Sequence, residues 1–524
     1  MSAAVCRAAA IALTGLEGTP VMVESAVSQQ IPGMAIIGLP DTALAEAKLR
    51  VRSATAQLGL PISERFVTVN LSPASLPKHG SGFDLAIALS ALAALKHLPH
   101  EDMARVAHLG ELGLDGELRR PAGLLSSAVA ARALGFQRVM VPESCSGEAS
   151  LVPGLEVVAV PHLAAAVAWY RGDLEQARIV QYAEHGPKPA TASAADTDVE
   201  GVQPLDMADV IGQSEAVEAL VIAAAGRHHL SMLGPPGAGK TLLASRLPSI
   251  MPDLSPDESL TASSIAALGG SPLASLVRRP PFESPHHTAS AVSIIGGGDG
   301  AAVRPGAITR ACHGVLFLDE APEFPGGVLD QLRQPLESGR IEIHRAKVRA
   351  TLPARFQLVL ASNPCPCGNA GSPDTAASCT CSPAKQVKYL QRISGPLSDR
   401  IDVRLSVRRV SSVLQHDETA AAPCSEALRH RVSEARAAAS ERLRGTPWSV
   451  NSEVPGNWFR MPRMRLPRTD TAILDRALAR GALTLRGYDR VLRVAWSIAD
   501  LTGRQRPGRA ELARALVLRG GGAP

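Results

Sequence analysis

The stretch Gly234-Pro-Pro-Gly-Ala-Gly-Lys-Thr241 decides how the middle of this chain folds. An apolar run, His229-Leu-Ser-Met-Leu233, precedes it and has the character of a short buried strand, and Leu242-Leu-Ala-Ser-Arg-Leu247 follows with helical spacing. Strand, glycine loop and helix are the context in which G-x-x-x-x-G-K-[ST] makes a phosphate cradle. The glycines let backbone N–H groups close on phosphate oxygens, and the helix start adds its positive end. Gly234, Pro235, Pro236, Gly237, Ala238, Gly239, Lys240 and Thr241 are therefore expected to bind a nucleoside triphosphate. Lys240 would reach the β- and γ-phosphates and Thr241 would hold Mg²⁺. ATP and Mg²⁺ are the cofactors implied.

Downstream, Val315-Leu-Phe-Leu-Asp319-Glu320 is an unbroken apolar run that ends in two carboxylates, the mark of a parallel strand buried on both faces. Acids at the carboxyl end of such a strand stand where open α/β sheets bind ligands. Asp319 is expected to position Mg²⁺ and Glu320 to polarise an attacking water. A third strand, Phe356-Gln-Leu-Val-Leu-Ala361, ends in Ser362-Asn363. Asn363 can contact the γ-phosphate or the water, although Asn is also a common turn former at strand ends. In Gly395-Pro-Leu-Ser-Asp-Arg400, the arginine after a tight turn suits a transition-state contact made across a ring interface. An intramolecular ion pair is the alternative.

Bulk properties bound the rest. A chain of 524 residues exceeds one core, and 45% apolar with 20% charged residues is a globular composition. Aromatics at 3% argue against a surface built on base stacking. No apolar run is long enough for a membrane span and no signal-like cleavage region opens the chain, so a cytoplasmic protein is expected. The net charge of +5 is uneven. Residues 425–524 hold 19 Arg, no Lys and nine acids, a surplus of ten. Such an end can meet a polyanion, nucleic acid first, or simply clothe a solvated helical face.

Three domains and a linker are expected: an α+β domain at 1–183, a soft linker at 184–203, an α/β P-loop domain at 204–410 and, beyond it, an α-helical lid at 411–524. Cys365-Pro-Cys367 and Cys379-Thr-Cys381 bracket eleven mostly small and polar residues. Four thiolates in two close pairs suit a tetrahedral Zn²⁺, with reduced thiols or a redox disulfide as alternatives.

Ile211-Gly212-Gln213 ahead of the strand and loop is the approach expected of an AAA+ module. The joint run Pro285-His-His-Thr-Ala-Ser, Ile295-Gly-Gly-Gly, Arg304-Pro-Gly, Leu332-Arg-Gln-Pro-Leu-Glu and Asn363-Pro-Cys-Pro-Cys-Gly resembles the ComM/YifB family of magnesium-chelatase-like AAA+ ATPases. Gly38-Leu-Pro-Asp, Val69-Asn-Leu-Ser-Pro-Ala and Tyr488–Leu501 extend the likeness over the whole chain. The resemblance implies a hexameric ring that moves branched or single-stranded DNA, with branch migration of incoming DNA in transformable bacteria. It also implies Arg486 as a sensor arginine acting in cis from the helical lid. Ser362 stands where the family usually has Met, and Ala307 where an acid is common. A protein-remodelling ATPase, like the magnesium-chelatase motor subunit, is the alternative function.

Two segments fit a translocating ring. About 75 residues separate the phosphate loop from the Asp–Glu strand, far more than a simple α/β connection, and Gly296-Gly-Gly-Asp-Gly300 can tip a pore hairpin. A second hairpin is expected around Ile341–Arg349. Arg304, Arg345, Lys347 and Arg349 are the expected phosphate contacts, and a solvated edge hairpin is the alternative. At the N-terminal end, Gly110-Glu-Leu-Gly-Leu-Asp-Gly-Glu-Leu-Arg119 and Ala122–Ala131 resemble the Lon protease domain, a ribosomal protein S5 domain 2-like fold. The position of its catalytic lysine falls at Ser127 with no lysine nearby, and Gly80-Ser-Gly-Phe-Asp84 departs from the serine motif. That implies the fold without proteolysis. Lys78 and the loop 72–81 are left for contacts to DNA or a partner.

Overall fold

The computed structural model describes residues 5–38, 41–73, 82–173, 175, 205–269, 273–299, 302–344, 349–370, 376–410 and 423–520. Its centre is a five-stranded sheet in the order Phe282–Glu283, Val315–Leu318, Gln357–Ser362, Leu230–Leu233, Val403–Ser406. Every pairing in it is parallel, with Leu230 opposite both Val359 and Val403. Val315–Leu318 and Gln357–Ser362 are buried along their whole length. Alternate residues serve opposite faces: Phe317, Val359 and Ala361 join one core with Leu220, Leu247 and Trp496, while Leu316, Leu358 and Leu360 join another with Ile308, Phe324 and Leu397. Each such side chain contributes about 1.5–3 kcal/mol on leaving water, which is why the run carries no polar face. The first of these strands in sequence, Leu230–Leu233, lies between Gln357–Ser362 and Val403–Ser406. That is the switch point at which open α/β sheets bind ligands.

Both expected hairpins form. Gly296–Asp299 pairs with Ala302–Pro305, and Arg340–His344 pairs with Arg349–Pro353, antiparallel in each case. Arg304 is exposed on the first hairpin, opposite Gly297. Arg345 and Lys347 lie outside the described residues, as does the side chain of Arg349.

Residues beyond 423 are helical, as expected: Ser425–Arg442, Arg468–Ala479, Leu485–Leu501 and Arg509–Gly520, with an irregular connection through Trp448 and Trp458. Helix Leu485–Leu501 lies across the amino ends of the central strands. Its Arg490 donates to Asp402 Oδ1 at 2.6 Å just before Val403, and its Ser497 Oγ meets His228 Nε2 at 2.8 Å just before Leu230. Burial alone would raise the Asp402 carboxyl, but Arg490 and His228 hold it well below the carboxylate range. Arg442 bonds Asp500 at 2.8 Å and stacks over the buried Trp496, 4.5 Å from its ring centre. Twelve of the nineteen arginines counted above are bonded within the chain in this manner, among them Arg429 to the Ser249 carbonyl, Arg436 to the Ala224 carbonyl and Arg493 to the Val454 carbonyl. Part of the basic surplus is thus taken up by helix and loop carbonyls and by acids of the same chain.

The N-terminal part is a seven-stranded mixed sheet in the order Gly33–Ile37, Phe66–Ser72, Glu17–Ser28, Cys6–Thr14, Val106–His108, Arg138–Pro142, Glu156–Val160. Helix Asp84–Ala94 is buried almost throughout against it. Asp84 is held by Arg50 Nε at 2.6 Å, and Ser127 is buried on helix Leu124–Ala133. Lys78 and Gly80 lie outside the described residues. Packing at two places joins this sheet to the centre. Ala267, at the end of helix Pro256–Ala267, packs in one core with Leu124 and Ala128, and Leu16, in the turn after Cys6–Thr14, packs against the core that holds Ile341 and Leu352 of the second hairpin. No helix among the described residues is long and apolar enough to cross a membrane.

Glu258 fixes helix Pro256–Ala267 at its other end. It completes a capping box with Ser255 and accepts from Arg227 Nη2 at 2.7 Å, while His313 Nδ1 stands 3.3 Å away. Arg227 immediately precedes the phosphate-loop strand and His313 the Asp–Glu strand, so one carboxylate ties the amino ends of both. Burial alone would lower the His313 imidazolium, but bonding to Cys312 and Glu258 raises it to about 9. With the folded value above the ordinary value of about 6.5, its contribution to stability is complete below that pH and is lost as pH rises through about 9. The melting temperature of the wild type is expected to fall more steeply between neutral and alkaline pH than that of His313→Gln; parallel curves would dismiss the pair. Arg490→Ala leaves Asp402 buried beside a weaker partner and is expected to cost about 3 kcal/mol in urea denaturation followed by tryptophan fluorescence.

Candidate nucleotide site

The phosphate loop leaves the carboxyl end of Leu230–Leu233 and runs directly into helix Lys240–Ile250. Gly237 (φ 76°) and Gly239 (φ 85°) take left-handed conformations that a side chain would strain, and this curls the backbone around an open centre. Neighbours hold the loop on three sides. Gly234 N donates to the Ser362 carbonyl at 3.1 Å, Gln213 Nε2 donates to the carbonyls of Ala238 at 3.3 Å and Arg408 at 2.6 Å, and Arg409 Nε donates to the Pro236 carbonyl at 2.8 Å.

Lys240 is buried, and its ammonium donates to the carbonyls of Gly234 (2.6 Å) and Pro235 (3.1 Å) and to Asn363 Oδ1 (3.0 Å). Burial lowers its pKa, against the pull of Asp319 and Glu320. A cation held by three neutral oxygens is suited to exchange some of them for phosphate oxygens. Thr241 Oγ1 donates to Asp319 Oδ2 at 2.7 Å, which is the hydroxyl–carboxylate pairing able to share a hydrated divalent cation. Lys240, Thr241, Asp319 and Asn363 therefore converge, from three strands, on the carboxyl edge at the switch point.

Glu320 stands next to them. Its backbone is left-handed (φ 50°), a strained conformation for a side-chain-bearing residue, and its N–H donates to Asp319 Oδ1 at 2.9 Å. That turn aims the two neighbouring carboxylates differently: Asp319 toward Thr241, Glu320 toward His287, whose Nδ1 is 3.3 Å from Glu320 Oε2. His287 was quoted above only as part of a motif, and its pairing with Glu320 was not foreseen. The adjacent Pro285-His286 and the position just after strand Phe282–Glu283, next to the Asp–Glu strand, were the available signal.

The two arginines stand elsewhere. Arg400 pairs with Glu337 and donates to the Pro396 carbonyl at 2.7 Å, so the intramolecular ion pair is realised in the single chain. Arg486 is exposed one turn before Arg490 on helix Leu485–Leu501.

The four expected cysteines do meet. Their sulfurs lie within 4.8 Å of one another, and none is in a disulfide.

Comparison with known proteins agrees with this geometry. Residues 206–414, 23–145 and 422–519 match three family profiles described as magnesium chelatase subunit ChlI, subunit ChlI of Mg-chelatase, and the subunit ChlI C-terminal part. An uncharacterized protein of Mycobacterium tuberculosis is 43% identical over 519 residues, 99% of each chain. The protein YifB of Escherichia coli is 37% identical over 94% of this chain and 92% of its own, and the competence protein ComM of Haemophilus influenzae is 36% identical over 96% and 95%. On that sequence identity and the matching profiles, the chain belongs to the ComM/YifB family of magnesium-chelatase-like AAA+ proteins.

Proposed function

We propose that the protein is a cytoplasmic ATPase that assembles into a ring, of six subunits in the family pattern, and moves branched or single-stranded DNA. The observation that carries the ATPase reading is the meeting of Lys240, Thr241, Asp319 and Asn363 at one strand edge, with Glu320 beside them. In this reading the loop 234–241 binds ATP, Thr241 and Asp319 hold Mg²⁺, and Asn363 orients the γ-phosphate. Glu320 is the general base, and His287 holds its carboxylate until the site is complete. Arg400 exchanges Glu337 for the nucleotide of the next protomer, and Arg486 acts in cis as the sensor arginine of the helical lid.

Support for DNA comes from the name of the Haemophilus relative, a competence protein, and from two hairpins that leave the same module. Arg304, Arg345, Lys347 and Arg349 are the proposed phosphate contacts, which would give salt-dependent and sequence-independent affinity. The profiles described as magnesium chelatase favour a second reading, an ATPase that remodels a protein partner. Forked DNA separates the two, because it should stimulate ATP turnover several-fold under the first reading and leave it flat under the second.

Lys240→Ala should weaken binding of a fluorescent ATP analogue at least about 30-fold, as loss of a buried charge-assisted contact does. Glu320→Gln should keep ATP affinity while turnover falls by about 10²–10⁴; undiminished hydrolysis would remove Glu320 as the base. His287→Ala should change kcat with KM nearly constant and His287→Asn should restore much of it, because Asn can still donate to the carboxylate. Equal effects of both substitutions would count against the pairing. A particle that remains monomeric with ATP and Mg²⁺ would end the ring proposal.

A further inference from the structure

The segment that leaves Asn363 has almost nothing apolar with which to fold. Its small core comprises Cys365, Ala370 and Cys381, with Cys367 and Cys379 packed against them. Burial of one alanine and four thiols cannot order a loop of this length against its conformational entropy. Yet the sulfurs converge: Cys365 to Cys367 is 3.3 Å, Cys367 to Cys379 is 3.6 Å and Cys365 to Cys379 is 3.8 Å. These separations are too long for disulfides, whose sulfurs sit about 2.05 Å apart. They bracket the edge of a tetrahedron, about 3.8 Å, that follows from Zn–S bonds of about 2.3 Å. Outer contacts to the sulfurs are in place as well. Ala370 N–H donates to Cys365 Sγ at 3.4 Å, and Gln386 Nε2 reaches Cys379 Sγ at 3.8 Å and the Cys381 carbonyl at 3.1 Å.

The loop so gathered touches the phosphate cradle. Gly368, left-handed at φ 79° and bonded through its N–H to the Cys365 carbonyl at 2.9 Å, lies flat on Pro236. A Cβ on Gly368 would stand 2.6 Å from the Pro236 ring. On the other side, Cys365 is two residues from Asn363, which holds Lys240. The cysteine loop thus abuts the cradle at Pro236 and supports its lysine through Asn363.

We infer that Cys365, Cys367, Cys379 and Cys381 bind one structural Zn²⁺, and that the metal-locked loop is a strut that sets the phosphate loop for nucleotide. The metal site stands on the sulfur geometry alone, and the strut rests in addition on the nucleotide reading above. Full-length protein purified under reductant and without chelator should contain one zinc per chain by plasma emission spectrometry. Replacement by Co²⁺ should give the thiolate charge-transfer and tetrahedral bands. Cys367→Ser with Cys379→Ser should abolish both, and Cys6→Ser and Cys424→Ser should keep them. Wild type without zinc, and without a cobalt–thiolate band on reconstitution, overturns the site.

Gly368→Ala tests the strut without touching a ligand. It should retain its zinc yet bind a fluorescent ATP analogue about ten-fold more weakly, the size expected of a strained left-handed residue and a displaced contact. Unchanged affinity overturns the strut and leaves the metal. Lys240→Ala should lose nucleotide and keep zinc, so the two readouts separate. A wild type that holds zinc but binds no nucleotide would defeat the ATPase reading and the strut together, with the metal site established.

Discussion

One ammonium group organises this molecule. Lys240 is buried, and a buried charge must be met by oxygens or it will not stay charged. It is met by two carbonyls of its own loop and by an amide from the tip of a strand more than a hundred residues away. Satisfying it draws together the loop, the helix that follows and the strand Gln357–Ser362. The parallel pairing of Leu230–Leu233 with Gln357–Ser362 then sets the spacing between lysine and asparagine. A loop built around a cation that only neutral oxygens hold has a standing preference for something more negative, and the acidic residues of the next strand are positioned to bring the metal that accompanies it.

The parts of the fold visible in the sequence were those with strong local signals. The phosphate loop, the strand Val315–Leu318 with its two acids, and the two hairpins stand within a residue or two of expectation, because glycine patterns and unbroken apolar runs are read within a few neighbours. Long-range pairings were not visible. His287 meets Glu320, Glu258 meets Arg227 and His313, and Arg490 meets Asp402, each decided by how separate elements pack and not by spacing along the chain. Composition was silent on one point. It offered the arginine-rich end as a polyanion surface or a solvated face, and an arginine bonded to a backbone carbonyl counts the same in it as one in solvent. Arg436, buried against the Ala224 carbonyl with its pKa lowered to about 9 by that burial, makes the point.

Those arginines add to the apolar packing of Trp458, Phe459 and Trp496 in docking the helical end. Alanine-rich faces of Ser425–Arg442 bury little area per residue. Guanidinium groups then reach helix ends and loop carbonyls, with their stems able to cover apolar ground on the way. The same economy appears at Asp402 and Asp500, each a buried acid held by one arginine from the C-terminal helices.

The turn at Leu16 has a mechanical consequence. It presses from the N-terminal sheet into the core beneath the second hairpin, while Ala267 anchors the same sheet to the helix that Glu258 ties, through Arg227 and His313, to the starts of Leu230–Leu233 and Val315–Leu318. The sheet is thus geared at two points. A substitution that empties the seat of Leu16 would therefore loosen the N-terminal sheet and the base of the hairpin together.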